Sequence, residues 1–321
     1  MIKIALITPI NKFDYLTDTI IDGLLSFDNI QFVSYSENYP SKNWNFINSV
    51  RTEAEFCDFA KKADLIFLMY GKESTNFSLA EKINTWNKTI FIDGSELGKN
   101  RRYDKEILNS VSAGIWMDNG KINQEMLKKC ALYFRREKPY LQGITPLPFG
   151  IESRYRKFYS PGGKKDIDYV CIFGQEDYPP MRTSVREYLE KYCQKHGFNC
   201  VTKKTESQEE FYKLLARSRV GISVGGGGYD TARFWEILAN NCLLITEKID
   251  LYQPEGNELN FSRIKQFGNL EEFKKALEDV SGLLKDGYQA GDEEYKKILE
   301  GHSSKARLET ILEAARNKKL I

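Results

Sequence analysis

"VGISVGGGGYDTARFWEILANN", Val220 to Asn241, holds an apolar run, four consecutive glycines and a second apolar run of different period. Val220–Val224 reads as a strand that is apolar on both faces. In the second run Phe234, Trp235, Ile237, Leu238 and Ala239 make a helix apolar nearly all round, and therefore buried. A strand covered on both faces, feeding a buried helix, is the building unit of a parallel sheet layered by helices. Strand, glycine loop and helix also aim backbone N–H groups and the positive end of a helix dipole at one place, which suits an anion. The loop matches neither familiar phosphate-binding string. G-x-G-x-x-G starting at Gly225 requires glycine where Asp230 stands, and no Gly-Lys-Ser/Thr follows. A nicotinamide-type dehydrogenase and a P-loop NTPase are therefore disfavoured.

Asp230 or Thr231 is placed to cap the helix. Behind them Arg233, Glu236 and Asn240 stand three and four residues apart and form one polar stripe. A cation in a first helical turn opposes the dipole at a cost of about a few tenths of a kcal/mol. An anion sharing the site accounts for that arginine, and so does an internal Arg233–Glu236 salt bridge.

Outward from this stretch the same alternation runs along the chain. Strands are expected at Ile2–Thr8, Ile30–Tyr35, Leu65–Tyr70, Thr89–Asp93 and Ala113–Trp116, with helices near 15–27, 51–62, 76–86 and 101–110. The rhythm restarts with strands at Tyr169–Gly174, Asn199–Thr202, Val220–Val224 and Leu243–Thr246. Helices are expected near 182–196, 207–217, 231–240, 269–285 and 303–318. Two successive sets predict two doubly wound α/β domains. The seam falls in Ile144–Gly163, where three prolines and three glycines break the periodicity, with the hinge around Pro146–Gly150. The boundaries follow: residues 1–147, residues 148–302, and a C-terminal helix, 303–321, that packs back toward the first domain.

At 321 residues the chain has room for two cores. A net charge of +2 supplies no field for DNA or RNA, so nucleic acid is not an expected partner. Runs such as Leu65–Tyr70 are too short to cross a bilayer, and MIKIALITPI reads as a first core strand rather than a leader. Six scattered cysteines without a C-x-x-C pair fit a reducing, cytoplasmic setting. Two histidines, His196 and His302, argue against a zinc site, and the Asp166-Ile167-Asp168 string is read as a chance match to a metal-binding D-x-D.

From Asp168 to about Leu312 the sequence resembles the C-terminal domain of GT-B-fold glycosyltransferases, in particular the spore-maturation glycosyltransferase-like group. "DYVCIFGQEDYPPMR" resembles that family's strand and Phe-x-Gly followed by an arginine, here Arg182. "FYKLLARSRVGISV", "TARFWEILANNCLLIT" and "GHSSKARLETIL" are similar, in order, to its helix–strand, its S-x-R-x-F/W-E-x-x-A-x-G helix and its closing His-x-x-x-x-Arg helix. "PLPFGIESRYRKFY" is similar to its interdomain crossover. "FIDGSE" and "LYFRREKP" resemble segments of related N-terminal domains.

The resemblance implies the GT-B architecture, two Rossmann-like doubly wound domains facing a cleft, with an acceptor-side first domain. It implies a metal-independent glycosyltransferase that moves a sugar from a nucleotide-diphosphate donor to a glycan or other hydroxyl acceptor in cell-surface glycan or glycoconjugate synthesis. No cofactor is expected beyond that donor, and a peripheral membrane contact is left open. Gly174, Gly226, Gly227, Gly228, Tyr229, Thr231, Arg182 and Arg233 would face the diphosphate, Glu236 the ribose hydroxyls, and the Thr202–Thr205 loop the base. In this chain Gly228 stands where many retaining members carry a second acid, and Asn240-Asn241 replaces the glycine after the buried helix.

For a general base the N-terminal loops offer Asp14, Glu73, Asp93 and Glu96. Asp93 and Glu96 are preferred because they follow a buried strand directly. The competing class is a non-catalytic two-domain protein that binds a nucleotide-sugar or small ligand, a degenerate transferase. Tyr15, Tyr39, Trp44 and Trp86 are either sugar-stacking aromatics or core.

Overall fold

The computed structural model describes residues 1–10, 12–35, 52–70, 76–96, 122–137, 142–175, 179–249, 259, 261–287 and 291–321. The chain divides into two compact units: Met1–Gly150 with Ser304–Ile321, and Ile151–Asp250 with Asn257–Ser303.

Among the described residues of the first unit six strands form one parallel sheet, with β1 (Ile2–Ile7), β2 (Ile30–Tyr35), β3 (Leu65–Tyr70), β4 (Thr89–Asp93), β5 (Leu132–Arg135) and β6 (Ile144–Pro146) in the order β2-β1-β3-β4-β5-β6. The middle strands have no polar face because helices cover both sides. Ile4–Ile7, Leu65–Met69 and Ile90–Ile92 are all buried. Side-chain caps start the helices between them. Asp14 Oδ2 accepts from the Thr17 N–H at 2.7 Å, and Thr52 with Glu55 closes a capping box. The C-terminal helix Ser304–Asn317 packs on Tyr15–Leu25. Ser304 Oγ donates to Asp22, while Arg307 Nε donates to the carbonyls of Pro148 and Phe149 at 3.0 and 3.1 Å. The closing arginine thus holds the Pro-rich segment Leu147–Phe149.

The described residues of the second unit carry five parallel strands, β7 (Ile167–Val170), β8 (Cys200–Val201), β9 (Ser218–Ser223), β10 (Leu243–Glu247) and β11 (Ile264–Phe267), in the order β11-β10-β9-β7-β8. Chain order therefore reverses between β7 and β9. In open α/β sheets the crevice beyond the strand ends at such a reversal is where ligands bind. The loops there are Cys171–Gln175, after β7, and Val224–Thr231, after β9. The helix Ala232–Ala239 lies close on β9. A Cβ on Gly221 would stand 2.5 Å from Ile237 Cγ1, so this strand position must be glycine. Asn241 at φ 52° turns the chain from that helix into β10, the left-handed conformation that asparagine tolerates.

Differences from the sequence reading are confined to short or highly charged elements. β5, β6 and β11, of three or four residues, and the helix Asp292–His302, with three acids in its first turn, were not expected. The strand Ala113–Trp116, the helix 101–110, Glu73, Tyr39 and Trp44 lie outside the described residues. Tyr15 sits edge-on to Phe13 and near Phe149, and Trp86 lies beneath Lys129.

Gly221→Ala should lower stability by about 1–3 kcal/mol through overpacking. Ile237→Ala in the same chain should recover part of that loss relative to the sum of the single changes, which urea denaturation of the single and double variants measures.

Candidate functional site

Arg182 sits in the first turn of the helix Pro180–His196 and folds back across the reversal between β7 and β9. Its Nη1 donates to the Gln175 carbonyl at 2.9 Å and its Nη2 to the Val224 carbonyl at 3.2 Å, joining the two strand exits. The side chain rests on the Phe173 ring, 5.1 Å from its centre, and the residue is only 8% exposed. Among the described residues no carboxylate lies within ion-pairing distance, and Nε has no hydrogen-bond partner. Burial, and after it the charge of nearby Arg233, pulls this guanidinium down to about 10. A buried cation held by two carbonyls and pressed by a second cation is a place short of negative charge.

The glycine loop wraps this guanidinium. A Cβ on Gly226 would stand 2.6 Å from Arg182 Nη2, so glycine there lets the backbone close over the cation. The Gly225 N–H donates to Glu247 Oε2 at 3.0 Å, and the Gly226 N–H donates to the Gly228 carbonyl at 2.9 Å. Among the described residues the N–H groups of Gly227 and Gly228 have no acceptor. Gly174, on the facing loop, borders open space.

Neither helix that starts beside the loop carries a side-chain cap. Pro179 cannot supply one, and Thr231, although at the N-cap position, bonds Ser223 Oγ at 3.2 Å instead. Asp230 is likewise committed, its Oδ1 accepting from Trp235 Nε1 at 2.7 Å. The expectation that Asp230 or Thr231 caps the helix is thus replaced. Both side chains fasten the loop, and the amides at the helix start are left to other partners.

On the polar stripe Arg233 Nη1 and Glu236 Oε2 form the internal ion pair at 2.6 Å. Arg233 stacks 3.6 Å above the Phe211 ring centre, and Glu236 Oε1 accepts from Tyr212 Oη at 3.2 Å. Burial, with the Glu236 charge beside it, raises the Tyr212 phenol far above its ordinary value, so it remains a donor. Asn240 closes the stripe by donating to the carbonyls of Tyr155 and Glu236, both at 2.8 Å. Arg182, Arg233, Glu236 and the glycines, with Thr231, therefore gather at one end of one sheet. Thr202 and Thr205 bond Glu190 and the Ser207 carbonyl. Tyr229 is half-buried on the loop.

In the first unit Asp93 is 1% exposed. Its Oδ2 pairs with Arg135 at 2.7 Å and accepts from Tyr133 Oη at 2.5 Å, and its Oδ1 accepts from the Ser95 N–H at 2.9 Å. This carboxylate closes a turn and neutralises a buried arginine, which is a structural task. Glu96 pairs with Arg136 at 3.2 Å and keeps 27% of its side chain exposed. Arg135, which ends β5, and Arg136 after it were the signal missed. Asp166 pairs with Arg217 through both oxygens, at 2.9 and 2.8 Å, and Asp168 pairs with Arg219. Among the described residues no three His, Cys, Asp or Glu side chains are placed to hold a metal ion. His302 is buried against Trp235 and Phe261.

No family model matches the chain, and no curated protein matches it. Solved structures do. A glycosyltransferase from Rickettsia africae ESF-5 is similar with a TM-score of 0.60 at 10% identity, covering 99% of this chain and 98% of that one. A glycosyltransferase involved in avilamycin A biosynthesis gives 0.52 at 10% identity, covering 99% and 98%. The chain has the GT-B fold. A UDP-GlcNAc 2-epimerase from Methanocaldococcus jannaschii also matches, at 0.48 and 11% identity over 97% and 99%. At these identities what the two glycosyltransferases share with this chain is the fold, and they do not single out the spore-maturation-like group.

Asp93→Asn should cost about 3–5 kcal/mol of stability, because it leaves the Arg135 charge buried without its partner. Glu96→Gln, at the more exposed pair, should cost less than about 1 kcal/mol. Paired denaturant titrations test this ranking.

Proposed function

We propose that the second unit binds a nucleotide-diphosphate sugar and that the protein is a glycosyltransferase acting on a hydroxyl acceptor. The observation that carries this reading is Arg182, a buried guanidinium without a carboxylate partner among the described residues, set across the strand reversal with Arg233 near enough to depress it. A diphosphate supplies the charge that Arg182 lacks. It also takes up the N–H groups of Gly227 and Gly228 and the uncapped start of the helix Ala232–Ala239.

The Arg233–Glu236 pair is then the resting form of the site. When the diphosphate draws Arg233 away, Glu236 is left with Tyr212 on one oxygen and the other open to ribose hydroxyls. Transfer forms a bond from the acceptor oxygen to the anomeric carbon and breaks the bond from that carbon to the diphosphate. The leaving group keeps the electron pair, and the arginines and amides stabilise its growing charge from positions set in advance. The acceptor hydroxyl gives up its proton. Asp93 and Glu96 are the carboxylates proposed to take it, Glu96 being the more exposed of the two. Glycoconjugate synthesis of the spore-maturation-like kind, without a required metal ion, is the narrower form of the proposal, supported by the sequence resemblance.

Calorimetry with UDP, GDP and dTDP and their sugar conjugates should show micromolar-range binding of at least one. Arg182→Met should weaken it by about 10- to 100-fold, the worth of a charged hydrogen bond, without lowering the melting temperature by more than about 4 °C. Binding that survives both Arg182→Met and Glu236→Ala contradicts the site. Binding with neither sugar transfer nor hydrolysis supports the non-catalytic class instead, and epimerised donor sugar overturns the transferase.

The pH dependence has a definite sign. Arg182 is charged below about 10 and the diphosphate binds the charged form. Affinity should therefore hold below that value and fall as pH rises through it, in the wild type but not in Arg182→Met. The same depression means that the cost of burying the charge is full below about 10 and is relieved above it.

A further inference from the structure

Glu247 adjoins the glycine loop. It ends β10, and the parallel register that sets Thr246 opposite Ser223 brings it beside the start of the glycine loop. Its Oε2 accepts the Gly225 N–H at 3.0 Å. That oxygen and the Gly228 carbonyl lie 3.1 and 3.6 Å from the point where a Gly225 Cβ would stand, so the carboxylate stands at the mouth of the folded loop. Among the described residues no donor reaches Oε1.

This makes the loop unlike at its two ends. At the Gly225 end the N–H groups of Gly225 and Gly226 are already spent, on the Glu247 carboxylate and the Gly228 carbonyl. A phosphate placed there would meet like charge in a half-buried setting. The unspent amides of Gly227 and Gly228, the uncapped helix start and Arg233 lie toward the other end, while Arg182 reaches the Val224 carbonyl and Gly226. A carboxylate pinned through one oxygen still offers the lone pairs of the other, and hydroxyl groups are the neutral donors that such an acceptor binds most strongly.

The geometry points to Glu247 as the residue that recognises hydroxyl groups of the donor's sugar, which seats the sugar at the Gly225 end and the diphosphate at the helix end. The assignment rests on the nucleotide-sugar reading above and adds a direction to it. It predicts that Glu247 acts on the sugar's share of the affinity and leaves the diphosphate's share alone.

Wild type, Glu247→Gln and Glu247→Ala are titrated with UDP, GDP and dTDP and with their glucose conjugates, with thermal unfolding to confirm that each variant is folded. Glu247→Ala should weaken the glucose conjugate by about tenfold or more, while the corresponding nucleoside diphosphate stays within about twofold. Glu247→Gln keeps an acceptor for the Gly225 N–H and should fall between wild type and Glu247→Ala. Equal weakening of both ligands makes Glu247 a prop for the loop and overturns the assignment. Tighter diphosphate binding in the variants makes it a competing anion and overturns it too, as does no change for either ligand. If wild type binds no nucleoside diphosphate, the parent reading fails with it. If wild type binds one and only the Glu247 selectivity is missing, the parent reading stands alone.

Discussion

Removing a guanidinium from water costs several kcal/mol unless charge and hydrogen bonds are returned to it. Of the described arginines buried elsewhere in this protein, three meet that requirement with carboxylates, Arg135 with Asp93, Arg136 with Glu96 and Glu137, and Arg263 with Glu294, while Arg307 donates to the Pro148 and Phe149 carbonyls. Arg182 meets it with two carbonyls from two different strand exits, and the second unit is arranged around that position. The strand order puts the ends of β7 and β9 side by side, and Gly226 lets the loop close over the cation. Phe173 lines its face. In the proposed nucleotide site a ligand's negative charge would complete the balance at this guanidinium.

The helix Ala232–Ala239 shows how packing and binding are joined. One side is pressed so closely on β9 that Gly221 has no room for a side chain, and Trp235 reaches back to hold Asp230 at the loop's end. The other edge presents Arg233 and Glu236. The strand fixes the helix, the helix fixes the loop, and the loop sets the spacing of the charges. Small errors in that spacing are costly in a site that works by pre-set electrostatics.

Most of the fold was legible because strands such as Leu65–Tyr70 are apolar at every position, and helices such as Leu270–Lys285 carry a clear 3.6-residue period. Elements that escaped lacked those signals. β6 is three residues ending in proline, β11 is an edge strand with lysine and glutamine inside it, and Asp292–His302 buries only Tyr295, Ile298 and His302. Arg233 and Glu236 were legible as a polar stripe on an otherwise apolar helix, and Arg182 through the family resemblance. Glu247 carried no such mark. As the last residue of a strand it looks like an ordinary solvated acid, and its contact is with a residue 22 positions away.

The sequence by itself determined two parallel α/β units, a buried helix behind a glycine loop, and a polar stripe on that helix. Those are consequences of local period and composition, which act over a few residues. Only the tertiary structure decided which charges are paired and which await a partner. It tied Asp93 to Arg135, left Arg182 with carbonyls, spent the first two loop amides on Glu247 and Gly228, and left the next two open. Ion pairing and hydrogen bonding fall off within a few ångströms. Their outcome is therefore set by strand order and register, which bring together residues that the sequence keeps far apart.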